Sequence, residues 1–159
     1  MSNKPAAKPP GNARNFLLVD AHNVIFAHPD LAPLHRRNPP AARERLIQIL
    51  ERHQDAGHAR VVVVFDGGSG PKASSELSGA AGVQIIYPRS GQTADAIIER
   101  LVVKYSGTHR LTVATGDNLI RTAAIAAGAS TIDPDTLFED IGLAEKELDE
   151  TLRRLRRRH

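Results

Sequence analysis

Four aspartates occur where candidate β-strands end or where the next helix begins. Asp20 closes the apolar run FLLV, Asp66 follows VVVVF, and Asp117 comes three residues after LTVA. Asp95 opens the helix that is expected after the third strand. Because the carboxyl ends of parallel strands meet at one edge of an open α/β sheet, we expect all four carboxylates to face one cleft.

A cluster of carboxylates needs something to balance its charge. Two like charges about 4 Å apart repel by roughly 4 kcal/mol at an effective dielectric near 20, so protons, basic groups or a cation must compensate. The chain has no cysteine, which excludes thiolate zinc sites, iron-sulfur clusters and cysteine nucleophiles. Oxygen ligands favour Mg²⁺ or Mn²⁺, which activate water and neutralise phosphate charge. Each aspartate alone could equally be a helix cap or turn residue, so the prediction depends on the joint pattern.

Three further polar residues are candidates for substrate contact. Asn23, three residues after Asp20, can hydrogen-bond a scissile phosphate without adding negative charge, or can serve as a turn amide. Arg121, one turn beyond Asp117, could bind phosphate. Lys72 ends the Gly-rich run GGSGPK and could contact a nucleic-acid backbone, although a solvated lysine is the simpler interpretation. That run matches neither a dinucleotide fingerprint nor a GK[ST] phosphate loop.

Alternating strands and helices are predicted to position these side chains. Short apolar runs predict five strands, at 16–19, 61–65, 83–87, 111–114 and 130–132. A Pro- and His-containing loop is expected after the first strand. Helical spacing predicts helices capped by Asn38, Thr93 and Asp117, a short helix capped by Asp135, and a final helix through Leu155. This alternation is typical of a parallel α/β sheet with right-handed crossovers.

The basic charge is concentrated at the two ends of the chain. All 18 acidic residues lie between residues 16 and 150, so the net charge of +3 comes from the ends. We expect residues 1–15 to be a disordered basic arm, 16–150 to be one domain, and 151–159 to be a basic helix end. The arginines of 151–159 could release counterions from phosphate, or could simply be a solvated helix end that suits the helix dipole.

Apolar runs and aromatic content bear on the location of the protein and on base recognition. The longest apolar runs are far too short for a membrane span, and the first residues lack the apolar stretch of a secretory signal, so a cytoplasmic protein is expected. Aromatic residues make up 4% of the chain, and Phe26 and Tyr87 are the only stacking surfaces close to predicted strand ends.

The motifs together resemble a known family. VDAHN, VVFDGG, TADAIIERL and VATGDNLIR, in this order, are similar to the NYN domain and more narrowly to the YacP-like branch of the PIN-like nucleases. The resemblance implies a PIN-like Rossmannoid fold, a three-layer sandwich with a mainly parallel sheet of about five strands. It also implies an endoribonuclease that depends on Mg²⁺ or Mn²⁺ and, in this branch, acts at ribosomes.

The resemblance also assigns residues by position. It implies Asp20, Asp66, Asp95 and Asp117 as the catalytic and metal-binding cluster, Asn23 as the family asparagine, and Asn118 and Glu99 as neighbours. Two departures are visible: Ala21 and His22 stand where glycine and an aromatic residue are common, and residues 90–92 offer no acid before the third motif.

The sequence therefore favours a metal-dependent endoribonuclease that leaves a 5′-phosphate and a 3′-hydroxyl. Asp20, Asp66 and Asp117 would hold the cation directly or through water, and Asp95 would complete the cluster or orient the attacking water. One alternative is a non-catalytic RNA- or ribosome-binding module that uses the basic arms. Another is a metal-free, histidine-based ribonuclease that yields cyclic phosphates.

Overall fold

The computed structural model describes residues 14–57, 59–66, 82–89 and 91–158. Within these ranges the chain forms alternating strands and helices. The elements are β1 (Asn15–Asp20), α1 (Ala21–Ala27), α2 (Leu31–Arg37), α3 (Pro39–Ala56), β2 (Ala59–Val64), β3 (Gln84–Ile86), α4 (Ala94–Tyr105), β4 (Arg110–Ala114), α5 (Asn118–Ala126), β5 (Ser130–Ile132) and α6 (Pro134–Arg157).

The strands form one parallel sheet in the order β3-β2-β1-β4-β5. All four strand pairs are parallel, and β1 lies between β2 and β4. In register, Asp20 pairs with Val64 of β2, and Val19 pairs with Ala114 of β4. The order of the strands reverses between β1 and β4, which is where open α/β sheets form their binding crevices. The predicted parallel α/β architecture is confirmed.

Both faces of the sheet are covered by helices. Alternate residues of β1 point to opposite faces: Phe16 and Leu18 pack in the core with α4 and α5, whereas Leu17 and Val19 pack with α1, α3 and α6. This explains why β1 and β2 are continuously apolar instead of alternating with polar residues. The three-layer sandwich is confirmed.

Two segments differ from the sequence prediction. The expected loop after β1 is helical, because Ala21, Val24 and Ile25 bury one face of α1. The two expected C-terminal helices are one 24-residue helix, α6, whose N-cap is Asp133 instead of Asp135. Gly142 does not end α6, since a glycine inside a helix costs only about 1 kcal/mol. No helix in the described part of the chain is long and apolar enough to cross a membrane.

The predicted helix caps are confirmed at three starts. The Asn38 side chain accepts from Ala41 N–H at 3.2 Å at the start of α3, and the Thr93 hydroxyl accepts from Ala96 N–H at 3.1 Å at the start of α4. Asp117 caps α5. These caps fix where each helix leaves the sheet and therefore where the polar residues of its first turn are placed.

Gly128 should be required for the end of α5. Its φ is +99°, its N–H donates to Ile125 O at 3.0 Å, and Ala129 N–H donates to Ala124 O at 2.9 Å, which is the Schellman arrangement. We predict that Gly128→Ala lowers the free energy of unfolding by about 1–2 kcal/mol, because a Cβ is strained at this φ. Urea denaturation measures the loss. Gly107→Ala is the control, because a Cβ there meets open space; an equal loss in both variants would contradict the prediction.

Candidate active site

Asp20 is a buried carboxylate at the carboxyl end of the central strand. Its side chain is 2% exposed. Its Oδ2 accepts hydrogen bonds from the Thr115 hydroxyl at 2.9 Å and from Asn23 Nδ2 at 2.8 Å. Both bonds fall on Oδ2, and the carboxylate also accepts a backbone hydrogen bond from Asn23.

Thr115 connects Asp20 to Asp117 across the switch between β1 and β4. The Thr115 side chain is fully buried, and its hydroxyl donates to Asp20 while accepting from Asp117 N–H at 3.1 Å. Thr115 is not among the residues predicted from the sequence. A threonine directly after a buried strand and two residues before an aspartate was the available signal, because a hydroxyl there can both donate and accept.

Asp117 caps a helix, and its carboxylate keeps acceptor positions that a metal ion could use. Its Oδ1 accepts from Leu119 N–H at 2.8 Å and from Ile120 N–H at 3.4 Å, and this caps α5. An ionised carboxylate has two oxygens and about four acceptor positions, so the cap does not exhaust it. The structural and the functional interpretation of Asp117 are therefore compatible.

The four predicted aspartates interact with one another electrostatically. Desolvation raises the pKa of Asp95, and the negative charges of Asp117, Asp66 and Glu99 raise it further. Burial raises the pKa of Asp20, as does the charge of Asp95, against the lowering effect of the hydrogen bonds from Thr115 and Asn23. The charge of Asp95 therefore disfavours ionisation of Asp20, and the charges of Asp117 and Asp66 disfavour ionisation of Asp95.

Asn23 lies against the turn between β4 and α5. It sits in the first turn of α1 and donates to Asp20. A Cβ added at Gly116 would lie 3.2 Å from Asn23 Oδ1, tighter than ordinary contact. Glycine at 116 therefore allows the asparagine amide to approach this turn closely. The amide is held in the cleft by Asp20 on one side and by the backbone at Gly116 on the other.

The carboxylates suit a hydrated divalent ion better than a tightly chelated one. In the described ranges no three acidic or histidine side chains stand close enough together to hold one ion. The carboxylate donors are all oxygens, and desolvation together with the charges of Asp117 and Asp66 raises the pKa of Asp95. Mg²⁺ typically keeps several waters and takes one or two carboxylates directly. The residues fit Mg²⁺ or Mn²⁺ bound partly through water.

The other candidate residues are placed differently. The Arg121 guanidinium donates to Thr115 O at 3.2 Å and forms an ion pair with Asp133, so it braces the turns after β4 and β5. Asn118 is the exposed first residue of α5. Lys72 lies outside the described residues.

Comparisons with known proteins agree with this geometry. A family model described as the YacP-like NYN domain matches residues 17–159. The chain belongs to the YacP-like NYN domain family. It is 29% identical over 142 residues to the protein YacP of Bacillus subtilis (strain 168), covering 89% of this chain and 83% of that protein.

Solved structures of the Bacillus subtilis protein Rae1 (YacP) resemble the chain as well. One, of a single-substitution variant, has a TM-score of 0.74 and 28% identity over 88% of this chain and 82% of that one. Another has a TM-score of 0.71 and 29% identity over 88% and 80%. The NYN family implies a nuclease-like PIN fold, which agrees with the parallel sheet described above.

Removing the charge of Asp20 should stabilise the protein at neutral pH. The native pKa lies above the ordinary 3.8, so above that pKa the native state contains a buried charge that the unfolded chain hydrates. As the pH falls through the raised pKa, the native state binds a proton and the cost disappears. We predict that Asp20→Asn raises Tm by a few degrees at neutral pH. The difference in Tm between the variant and the native protein should vanish at about pH 4. Calorimetry with a chelator present checks this; a lower Tm at neutral pH would contradict it.

The Thr115 hydroxyl should stabilise both Asp20 and the turn at Asp117. Thr115→Val keeps the shape but removes the hydroxyl bond to Asp20 Oδ2, which retains its bond from Asn23, and removes the acceptor for Asp117 N–H, so we predict a loss of about 1–3 kcal/mol in the free energy of unfolding. Thr115→Ser restores the hydroxyl and should recover most of this loss in urea titrations. Equal stability of the valine and serine variants would show that the bridge contributes nothing.

Proposed function

We propose that this protein is a Mg²⁺- or Mn²⁺-dependent endoribonuclease. The observation that supports it is that the charges of Asp117 and Asp66 act on Asp95 and the charge of Asp95 acts on Asp20, in addition to the desolvation that is the main cause of the raised pKa values of Asp20 and Asp95. Membership of a family with a nuclease-like fold points to the same chemistry. Carboxylates that lie near other carboxylates need a compensating charge, which a cation supplies.

Each residue has a role that follows from its contacts. Asp20 would hold the ion through its carboxylate, which Thr115 and Asn23 orient by hydrogen bonds to Oδ2. Asp117 is oriented by its cap, and Asp66 adds negative charge from the end of the neighbouring strand. A bound divalent ion would supply charge neutralisation at phosphate and a lowered pKa of water.

Asn23 and Asp95 act on the substrate and on water. One N–H of the Asn23 amide donates to Asp20, and the second can donate to a non-bridging oxygen of the scissile phosphate. Asp95, whose raised pKa favours proton uptake, orients the attacking water and accepts its proton. The bond from phosphorus to the 3′-oxygen breaks, which leaves a 5′-phosphate and a 3′-hydroxyl.

RNA is the proposed substrate, and the ribosome in the cytoplasm is the proposed setting. The last two turns of α6 expose Arg153, Arg154, Arg156 and Arg157. Cations arranged in this way bind phosphates without reading sequence and release counterions. The same arginines favour the second candidate, a non-catalytic RNA- or ribosome-binding module.

Charge removal at two strand ends should abolish cleavage without unfolding the protein. We predict that Asp20→Asn combined with Asp117→Asn reduces RNA cleavage with Mn²⁺ by at least about a thousandfold, comparable to losing a key electrostatic group. Asparagine is an equally good N-cap and can accept from Thr115, so the fold should survive. Gel analysis of a labelled single-stranded RNA measures the rate and identifies the end groups.

The control is Asp55→Asn combined with Asp149→Asn. It removes the same charge from α3 and α6, outside the carboxylate edge. Unchanged cleavage in the Asp20 and Asp117 double variant would refute the nuclease proposal. Absence of cleavage in the native protein, with RNA binding that depends on the α6 arginines, would establish the binding module. Cleavage that survives chelation and yields cyclic phosphates would establish histidine chemistry.

A further inference from the structure

Three rings, of which two are exposed and the third is half-buried, form a cluster beside the carboxylate edge. His22 and Phe26 lie on α1 and His35 lies on α2, with ring centroids 4.5, 5.2 and 5.7 Å apart and every pair edge to face. We call His22, Phe26 and His35 the aromatic platform. Phe26 is 43% exposed, and His22 is exposed as well. The rings support one another by edge contacts, which leaves ring surface open to solvent.

The platform is fixed to the candidate catalytic residues by the start of α1. This helix begins directly after Asp20, and its first turn contains both His22 and Asn23, whose amide contacts Asp20 at 2.8 Å. His22 and Phe26 are four residues apart and share one face of the helix. Their rings therefore lie about one helical turn, roughly 5 Å, along α1 from one another, next to the site where Asn23 would bind phosphate.

Most of the other aromatic rings pack against rings of the same protein. Phe65 and Tyr87 stack on each other at 5.3 Å, and Phe16 packs against His109 at 5.2 Å. Phe138 contacts His28 at 4.4 Å. Among the described residues, Phe26 is the only exposed phenylalanine or tyrosine.

The surroundings of the platform are cationic instead of aliphatic. Arg36 and Arg37 follow His35 at the end of α2, are exposed, and form no ion pair with a described residue. The exposed large aliphatic side chains of the described residues lie on α4, α5 and α6, and none lies on α1 or α2. A protein partner would need a wider apolar surface, whereas rings flanked by exposed guanidinium groups suit a base and its phosphates.

We propose that the aromatic platform stacks a nucleobase of single-stranded RNA, one that neighbours the phosphate bound at the carboxylate edge. The position of that phosphate rests on the proposed function. Stacking tolerates any base, because every base has a π face, so the platform selects unpaired strands instead of a sequence. A base inside a duplex is covered by its neighbours and cannot reach the rings.

The test measures binding in chelator, so that it does not depend on cleavage. A short single-stranded RNA with 2-aminopurine at one position per probe is titrated with the native protein, with Phe26→Leu and with Phe26→Trp. We expect Phe26→Leu to weaken binding about fivefold or more and to abolish the fluorescence quenching at one probe position. Phe26→Trp keeps an aromatic face and should retain both.

Phe138→Leu is the matched control. Phe138 lies on α6, and its phenyl ring also makes an edge-to-face contact with a histidine, His28. This variant should bind as the native protein does. Native-like binding and quenching by Phe26→Leu, or an equal loss in Phe138→Leu, overturns the platform even if the protein cleaves RNA. Weakened binding only in Phe26→Leu supports the platform even if no cleavage is ever seen. The experiment can therefore overturn the aromatic platform without overturning the nuclease proposal, and the reverse.

Discussion

The burial of negative charge at one sheet edge is the constraint on which the rest of the structure depends. Desolvation raises the pKa of both Asp20 and Asp95, and the charge of Asp95 acts on Asp20 while the charges of Asp117 and Asp66 act on Asp95. A protein retains such an arrangement only if packing elsewhere offsets it. Here the offset comes from apolar cores on both faces of the sheet, in which β1 and β2 are buried almost completely.

Hydrogen bonds fix the orientation of the charged carboxylates. Thr115 joins the central strand to the turn after β4, and Asn23 joins it to α1, so Asp20 Oδ2 is fixed by two different elements. Asp117 is fixed in turn by the amides of α5. The carboxylates of Asp20 and Asp117 are therefore oriented before any ligand arrives, which is what electrostatic preorganisation requires.

The fold and the site make separate contributions to function. The family match and the Rae1 (YacP) structures establish a nuclease-like fold, but a fold of this kind accommodates many activities. The proposal of hydrolysis depends on the carboxylate edge, and the proposal of base stacking depends on the aromatic platform. Both surfaces begin at Asp20, because α1 starts directly after it.

The sequence alone determined the parallel α/β class, the five strands, the three helix caps and the strand-end positions of the aspartates. These features are local: continuous apolar runs identify buried strands, and cap residues mark helix starts. The matching motifs likewise identified the family correctly.

Only the tertiary structure decided the rest. The segment after β1 reads as a loop because its histidines and prolines are poor helix signals, yet burial of α1 against the sheet makes it helical. Packing of Leu137 and Ile141 starts α6 as one helix that continues through Gly142. Thr115, the pairing of Arg121 with Asp133 and the aromatic platform involve residues distant in sequence or on different helices. No local pattern encodes such contacts, because strand order and helix packing bring the partners together.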